Sequence, residues 1–178
     1  MDAFEAIKKR HSYRGPYEQD TQIPRDDLRA IVEAGIRAPS GMNRQTTEFV
    51  IVHDDELVGK LRDMNDRNMA MQQATAYIAC IVDKDISGSD KGMSFDVEDC
   101  AAAVENMLLA ITALGYASVW VDGWLRGENH ADQIAAMLGV PKTKTVRVIL
   151  PIGKPAEKWL QKEKKPFEQR AWFNTYGE

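Results

Sequence analysis

The sequence predicts an α+β fold organised around one long central helix. Helical segments come first, strands separated by long helices follow, and one helix is apolar on two faces. The helical segments carry apolar residues three and four apart, whereas the strands are short apolar runs.

Bulk composition narrows the functional classes. The chain has 178 residues, enough for one domain with a substantial core. Apolar residues make up 44% and charged residues 28%, an ordinary composition for a soluble protein. A net charge of -4 argues against a general nucleic-acid or anionic-membrane binder, which carries a basic excess. No apolar run approaches the ~20 residues that span a bilayer. The start, Met1-Asp2-Ala3-Phe4-Glu5, lacks the basic and apolar regions of a signal peptide. Cys80 and Cys100 show no zinc-ligand spacing, sit in apolar segments as inert thiols, and fit a reducing cytosol.

Asp2 is placed to cap a first helix through Arg10, with Glu5 in a capping-box-like position. Phe4 and Ile7 are expected to face inward, and the basic last turn suits the negative helix end. Gly15-Pro16 breaks the chain. Pro24 suits the first turn of a second helix, through Arg37, with Leu28, Ile31, Val32 and Ile36 on its apolar face. Pro39 stops that helix at Ala38. A strand over Phe49–Val52 follows, then a surface helix over Asp55–Asp63. Another helix is expected over Asp66–Gln73, with Met69 and Met71 as gap-filling core residues. Ala76–Val82 reads as a buried strand. Asp83–Asp96 is a polar loop long enough to serve as a lid over a substrate site. Its opening resembles a calcium loop, but Ser94 stands where the bidentate Glu belongs and no helix ends at Asp83, so no metal is expected.

The strongest element is Val97–Leu114. Val97, Ala101, Val104, Leu108 and Ile111 form one apolar stripe; Cys100, Ala103, Met107, Ala110 and Leu114 form a second. A helix apolar on two faces is buried on both, which predicts a core on one side and a partner subunit on the other. Gly115 is its natural stop. Ala117–Val121 is a strand that runs into Asp122-Gly123. Asn129 is expected to cap a helix through Leu138, and Thr145–Ile152 is the last strand. The tail from Ala156 is basic at Lys162, Lys164 and Lys165. It carries Trp159, Phe167, Trp172 and Phe173, rings expected to dock on their own domain or on a neighbour.

Chemistry gathers at the connection Ala38-Pro39-Ser40-Gly41-Met42-Asn43-Arg44-Gln45. Taken alone it is an ordinary helix-to-strand turn, in which Gly41 lets a backbone N–H come close to a ligand. Upstream stands Arg10-His11-Ser12-Tyr13-Arg14. No G-x-G-x-x-G follows a strand and no P-loop occurs. His11, His53 and His130 are scattered and read as surface or core residues rather than catalysts.

In order and spacing, these segments resemble the nitroreductase family of FMN-dependent, NAD(P)H-oxidising homodimers. Arg10, His11, Ser12 and Arg14 match the family's first flavin-contacting segment, and Pro39, Ser40, Asn43 and Gln45 the second. Asp99-x-x-Ala102-Ala103-x-x-Asn106 followed by Leu114-Gly115 looks like its central helix. Asp122-Gly123 sits where the family has an acidic residue and a glycine, and Lys162-x-Lys164-x-Pro166 resembles its C-terminal phosphate-binding pair. The match runs from Arg10 to Pro166, nearly the whole chain.

The resemblance implies one domain over residues 1–178, with a mixed, mainly antiparallel sheet flanked by helices and a long buried helix at a dimer interface. It implies FMN between two subunits. Arg10, Ser12, Lys162 and Lys164 would surround the phosphate, and Arg14 would sit at the N1/O2 edge of the ring. The backbone N–H groups of Asp122 and Gly123 would face N5 and O4, and Pro39, Ser40, Gly41 and Asn43 would come from the partner. It further implies a cytoplasmic oxidoreductase that takes hydride from NADH or NADPH and reduces a nitroaromatic or quinone by a ping-pong mechanism. The flavin carries the chemistry, so no catalytic side chain is expected. The chain departs from the family at Thr46-Thr47, where Pro-Trp or Pro-Phe is frequent, and at Lys164, which keeps the charge of Arg without its fork. Asn68 is a candidate contact to the flavin pyrimidine. Reductive dehalogenation, flavin fragmentation, a non-catalytic flavin-binding dimer and a flavin-free anion-binding module are the alternatives.

Overall fold

In the computed structural model, residues 1–65, 68–85, 94–159 and 161–177 are described. Asp2 Oδ1 accepts from the Glu5 N–H at 2.9 Å and so caps α1, Ala3–Lys9. Pro24 opens α2, Arg25–Ile36, where its missing N–H costs no intrahelical bond. Asp54 caps α3, Asp55–Asp63, and Asn68 caps α4, Met69–Gln73. Asp66 and Arg67, expected at the start of α4, lie outside the described residues, as does most of the Asp83–Asp96 loop. The remaining helices are α5, Asp96–Ala113, and α6, His130–Met137. Gly115 ends α5 at φ +84, a conformation that costs glycine least.

The strands are β1, Glu48–Val52; β2, Ala76–Asp83; β3, Ala117–Ser118; and β4, Lys144–Gly153. They form one sheet in the order β1-β2-β4-β3, with every pairing antiparallel among the described residues. Central β2 shows why its sequence is a continuous apolar run. Ala76, Ile78, Cys80 and Val82 pack in the layer with α2 and α5, while Tyr77, Ala79 and Ile81 pack in the layer with α3, α4 and α6. Both faces are covered, so both must be apolar. The β2–β4 register pairs Cys80 with Val148 and Ile81 with Val146, which leaves Arg147 as an extra residue in β4. Cys80 and Cys100 are neighbours in the α2/α5 layer, fully buried and unbridged. The Cys80 thiol is pushed up by the Cys100 contact and by burial. No helix among the described residues is long and apolar enough to cross a membrane.

Helix α5 meets α1, α2 and three strands. Cys100, Ala103, Val104, Met107, Leu108 and Ile111 are all buried within the one chain. Both expected stripes therefore merge into a single broad core face, because α2 covers one flank and the sheet the other. Val97 and Leu114, at its two ends, are exposed. Other apolar residues also point away from the chain. Phe4 is 78% exposed and Ile7 is exposed, contrary to the inward orientation expected; α1 buries only Ala6. Ile36 is likewise exposed, since Gly35 takes the buried position beside Met107. Asn129 precedes α6 in a left-handed conformation and makes no side-chain cap. In the tail, Trp159 docks edge-on against Tyr13 at 5.8 Å, while Phe167, Phe173 and Tyr176 remain exposed.

Candidate functional site

Beyond α1 the chain is pinned from inside. The Tyr13 N–H donates to the Ser118 carbonyl at 2.9 Å, and the Tyr13 side chain is buried. That anchor leaves Arg10, Ser12 and Arg14 at a cleft. From the far end of the chain, Gln161 Nε2 donates to the Arg10 carbonyl at 2.7 Å and brings the tail alongside. The resulting cleft, about 390 Å³, is lined by Arg10, His11, Ser12, Arg14, Trp159, Gln161, Lys162 and Lys164. Arg10 is ion-paired through Nε with Glu105 of α5 at 3.1 Å, which leaves its terminal nitrogens for a second anion. Lys162 and Lys164 are in no ion pair among the described residues, and Arg14 makes only a 3.5 Å contact to the Ser12 carbonyl. His11 Nδ1 lies 2.8 Å from the Lys9 carbonyl and must donate to it, because a carbonyl only accepts. The other nitrogen, Nε2, is buried without a partner. Two guanidinium groups, two ammonium groups and a hydroxyl make a donor set for a phosphate dianion.

The connection after α2 forms a separate feature. Gly41–Asn43 is a single 3₁₀ turn, and Met42, Asn43 and Gln45 have φ of 52°, 54° and 54°. The left-handed region is uncommon for residues with a Cβ, so three in four positions mark a strained segment. The Gly41 N–H, expected to be available to a ligand, instead donates to Asp99 Oδ1 at 2.8 Å. This turn lines its own cleft of about 370 Å³ with Pro39, Ser40, Gln45, Thr46, Thr47 and Asp99, between α2 and α5. The hydroxyls of Thr46 and Thr47 are buried there without partners.

Asp122 and Gly123 lie elsewhere again. Asp122 Oδ2 accepts from Arg126 at 2.9 Å and from Arg147, the bulged residue of β4, at 3.1 Å. The carboxylate is thus neutralised by two cations. Asn68 is engaged as the α4 cap and lines none of these clefts. His130 stacks on Trp124 at 4.1 Å and binds its carbonyl, a structural role.

Within one chain, then, the structure unites Arg10, His11, Ser12, Arg14, Lys162 and Lys164. It holds Pro39, Ser40, Gly41 and Asn43 together on a different surface, and Asp122–Gly123 on a third. Glu105, Gln161 and Arg147 went unread in the sequence, and Asp99 was read only as part of the central-helix motif, without its contact to Gly41. Each acts through a contact far along the chain, and only a shared helix face could have hinted at Glu105. No cluster of metal-binding side chains occurs among the described residues.

Comparison with known proteins bears on this geometry. The model of the nitroreductase family matches residues 7–79 and 62–154. Proteins of Methanothermobacter thermautotrophicus and Archaeoglobus fulgidus, both named "Putative NADH dehydrogenase/NAD(P)H nitroreductase", are similar to the chain. The first is 30% identical over 88% of this chain and 79% of its own, the second 33% identical over 78% of each. A solved structure of a Bacteroides fragilis nitroreductase with bound FMN is 31% identical, with a TM-score of 0.74, over 93% of this chain and 95% of that one.

Proposed function

The chain belongs to the nitroreductase family, and on that premise we propose that it is an FMN-dependent NAD(P)H oxidoreductase working as a homodimer. The observation that carries this reading is the cationic cleft, in which residues from both ends of the chain assemble a phosphate-binding donor set. The FMN-bound relative from Bacteroides fragilis supports the choice of ligand. When bound, FMN supplies the redox centre, accepting hydride from NADH or NADPH and passing electrons to a nitroaromatic or quinone.

The chain's own residues bind and orient. Arg10, Lys162, Lys164 and Ser12 would hold the phosphate, with His11 in the wall of the same cleft. Arg14 would offer a positive charge to the flavin ring, and the backbone at Asp122 and Gly123, on another surface of the single chain, would offer donors to its N5 and O4. The ion pairs of Asp122 keep its carboxylate from repelling a negatively charged ligand. Pro39, Ser40, Gly41 and Asn43 reach the flavin of the partner subunit. Their place on a separate surface of the single chain favours that arrangement, as do the bare Phe4, Ile7, Phe173 and Tyr176. Donor and acceptor occupy the same site in turn, which is ping-pong kinetics. Two unbridged cysteines accord with a reducing cytoplasm.

One absorbance experiment tests this. The protein is incubated with FMN, freed of excess cofactor, and its visible spectrum recorded before and after anaerobic NADH or NADPH. A retained flavin spectrum that bleaches is expected, and the reductant that bleaches it names the donor. Failure to retain flavin refutes the reading; retention without bleaching by either nucleotide reduces the protein to a flavin-binding dimer.

A further inference from the structure

We propose that Asp99 is a positioning residue that clamps the strained 40–45 turn onto α5 and thereby fixes the segment offered to the neighbouring flavin. The functional half of this inference rests on the FMN reading above; the clamp itself does not.

Asp99 stands in the first turn of α5 and is only 8% exposed. A carboxylate so buried needs a partner. It is in no ion pair among the described residues. Its side-chain partner is the Gly41 N–H, 2.8 Å from Oδ1. The contact spans 58 positions of sequence and lands on the residue immediately before the left-handed stretch, which begins at Met42. Met42, Asn43 and Gln45 keep conformations that their side chains disfavour, so the turn must be held from outside. Internally it has the Gln45 N–H to Ser40 Oγ bond at 3.1 Å, a long Gln45 Nε2 to Asn43 carbonyl bond at 3.4 Å and two short-range backbone bonds.

Two further contacts close the clamp. A Cβ placed at Gly41 would lie 2.5 Å from the Phe95 ring, so the turn is seated directly on the residue preceding α5. Asn106, two turns along the same helix, donates from Nδ2 to the Ala34 carbonyl at 3.1 Å and fixes the end of α2 from which the turn departs. Helix α5 therefore grips this connection on both sides, by Asn106 before it and by Asp99 with Phe95 on it. Pro39, Ser40 and Asn43 project from a frame set by α5, although none of them belongs to it.

The test uses the full-length protein. Amide hydrogen exchange is followed by NMR in the wild type, Asp99→Ala and Asp99→Asn, and FMN affinity by fluorescence titration. In the wild type the Gly41 amide is expected to be protected. Asp99→Asn keeps an oxygen that can accept from Gly41 and should retain both the protection and the affinity. Asp99→Ala should release the Gly41–Gln45 amides, leave the β2 amides unchanged, and weaken FMN binding about tenfold, the loss expected for a charged hydrogen bond. An unprotected Gly41 amide in the wild type overturns the clamp, as does Asp99→Asn behaving like Asp99→Ala. If Asp99→Ala does not fold, the wild type and Asp99→Asn decide the matter through the same amide. A protected Gly41 in a wild type that binds no FMN leaves the clamp standing and refutes the flavin reading. A released turn with unchanged FMN affinity refutes the positioning role.

Discussion

Replacing Arg10 by alanine separates binding from folding. The Arg10 side chain is 19% exposed and its ion pair with Glu105 spans 3.1 Å, with Glu105 about half exposed. A pair so close to solvent contributes at most about 1 kcal/mol to stability. The loss in affinity should be larger. A charged hydrogen bond to a phosphate oxygen contributes about 1.5–3 kcal/mol, and each 1.4 kcal/mol is tenfold, so the FMN dissociation constant should rise roughly 10- to 150-fold. The substitution also frees Glu105 beside an anion, which adds repulsion. Removing that carboxylate as well, in Arg10→Ala/Glu105→Ala, should therefore recover part of the affinity, while Glu105→Ala alone should bind no worse than the wild type. Fluorescence titration with FMN at ~0.1 M salt, where the Debye length is near 10 Å, reads the affinity; a thermal melt reads the fold. An Arg10→Ala dissociation constant within about twofold of the wild type would remove Arg10 from the site. A large fall in melting temperature, with affinity that Glu105→Ala does not recover, would make the residue structural instead.

Three other perturbations follow from the packing. Leu108→Glu places an unpaired charge at a position only 4% exposed and should abolish the folded state, as circular dichroism would show; a variant as stable as the wild type would contradict the core face assigned to α5. Phe4→Glu changes a residue the single chain leaves bare, so it should shift the proposed dimer toward monomer in analytical ultracentrifugation while monomer stability holds; an unaltered association constant would exclude α1 from the proposed interface. Tyr116 is held neutral by burial and by its hydrogen bond to Asp27 at 2.6 Å, which push its pKa up to about 12. The fold therefore favours the protonated phenol. Its contribution is complete below the ordinary tyrosine pKa near 10 and is lost as pH rises through about 12. Tyr116→Phe should flatten the decline of melting temperature across that window, and an identical decline would refute the linkage.

Local chemistry made much of this fold readable in advance. Helix α3 spans the Asp55–Asp63 range expected of it, because what sets its limits is local: Asp54 caps its first turn, and Val58 and Leu61 are buried within the next two. Strand β2 was visible as an apolar run because it is covered on both faces. The cationic residues of the cleft were legible as two motifs, but not the Gln161 bond that joins them. Phe4 and Ile7 misled, since helical spacing shows which residues share a face and not what covers it. The Arg147 bulge left no trace either: a single polar residue in an apolar strand can equally mark an edge or a solvent-facing position. What escaped detection was consistently a contact between residues far apart in sequence, such as Asp99 with Gly41 or Arg10 with Glu105.

The buried thiols turn the molecule into its own stopwatch. Cys80 and Cys100 are the only cysteines in the chain, and both are sealed between β2 and α5. A maleimide cannot reach either sulfur until that layer parts, so the rate of alkylation counts excursions of the core rather than surface chemistry. No engineered label is needed, and the two ends of the motion carry one reporter each, on the strand and on the helix. With reagent in excess, simultaneous modification of both would mean that the layer opens as a unit. Modification of Cys100 alone would mean that α5 unwinds or turns locally while Cys80 stays covered.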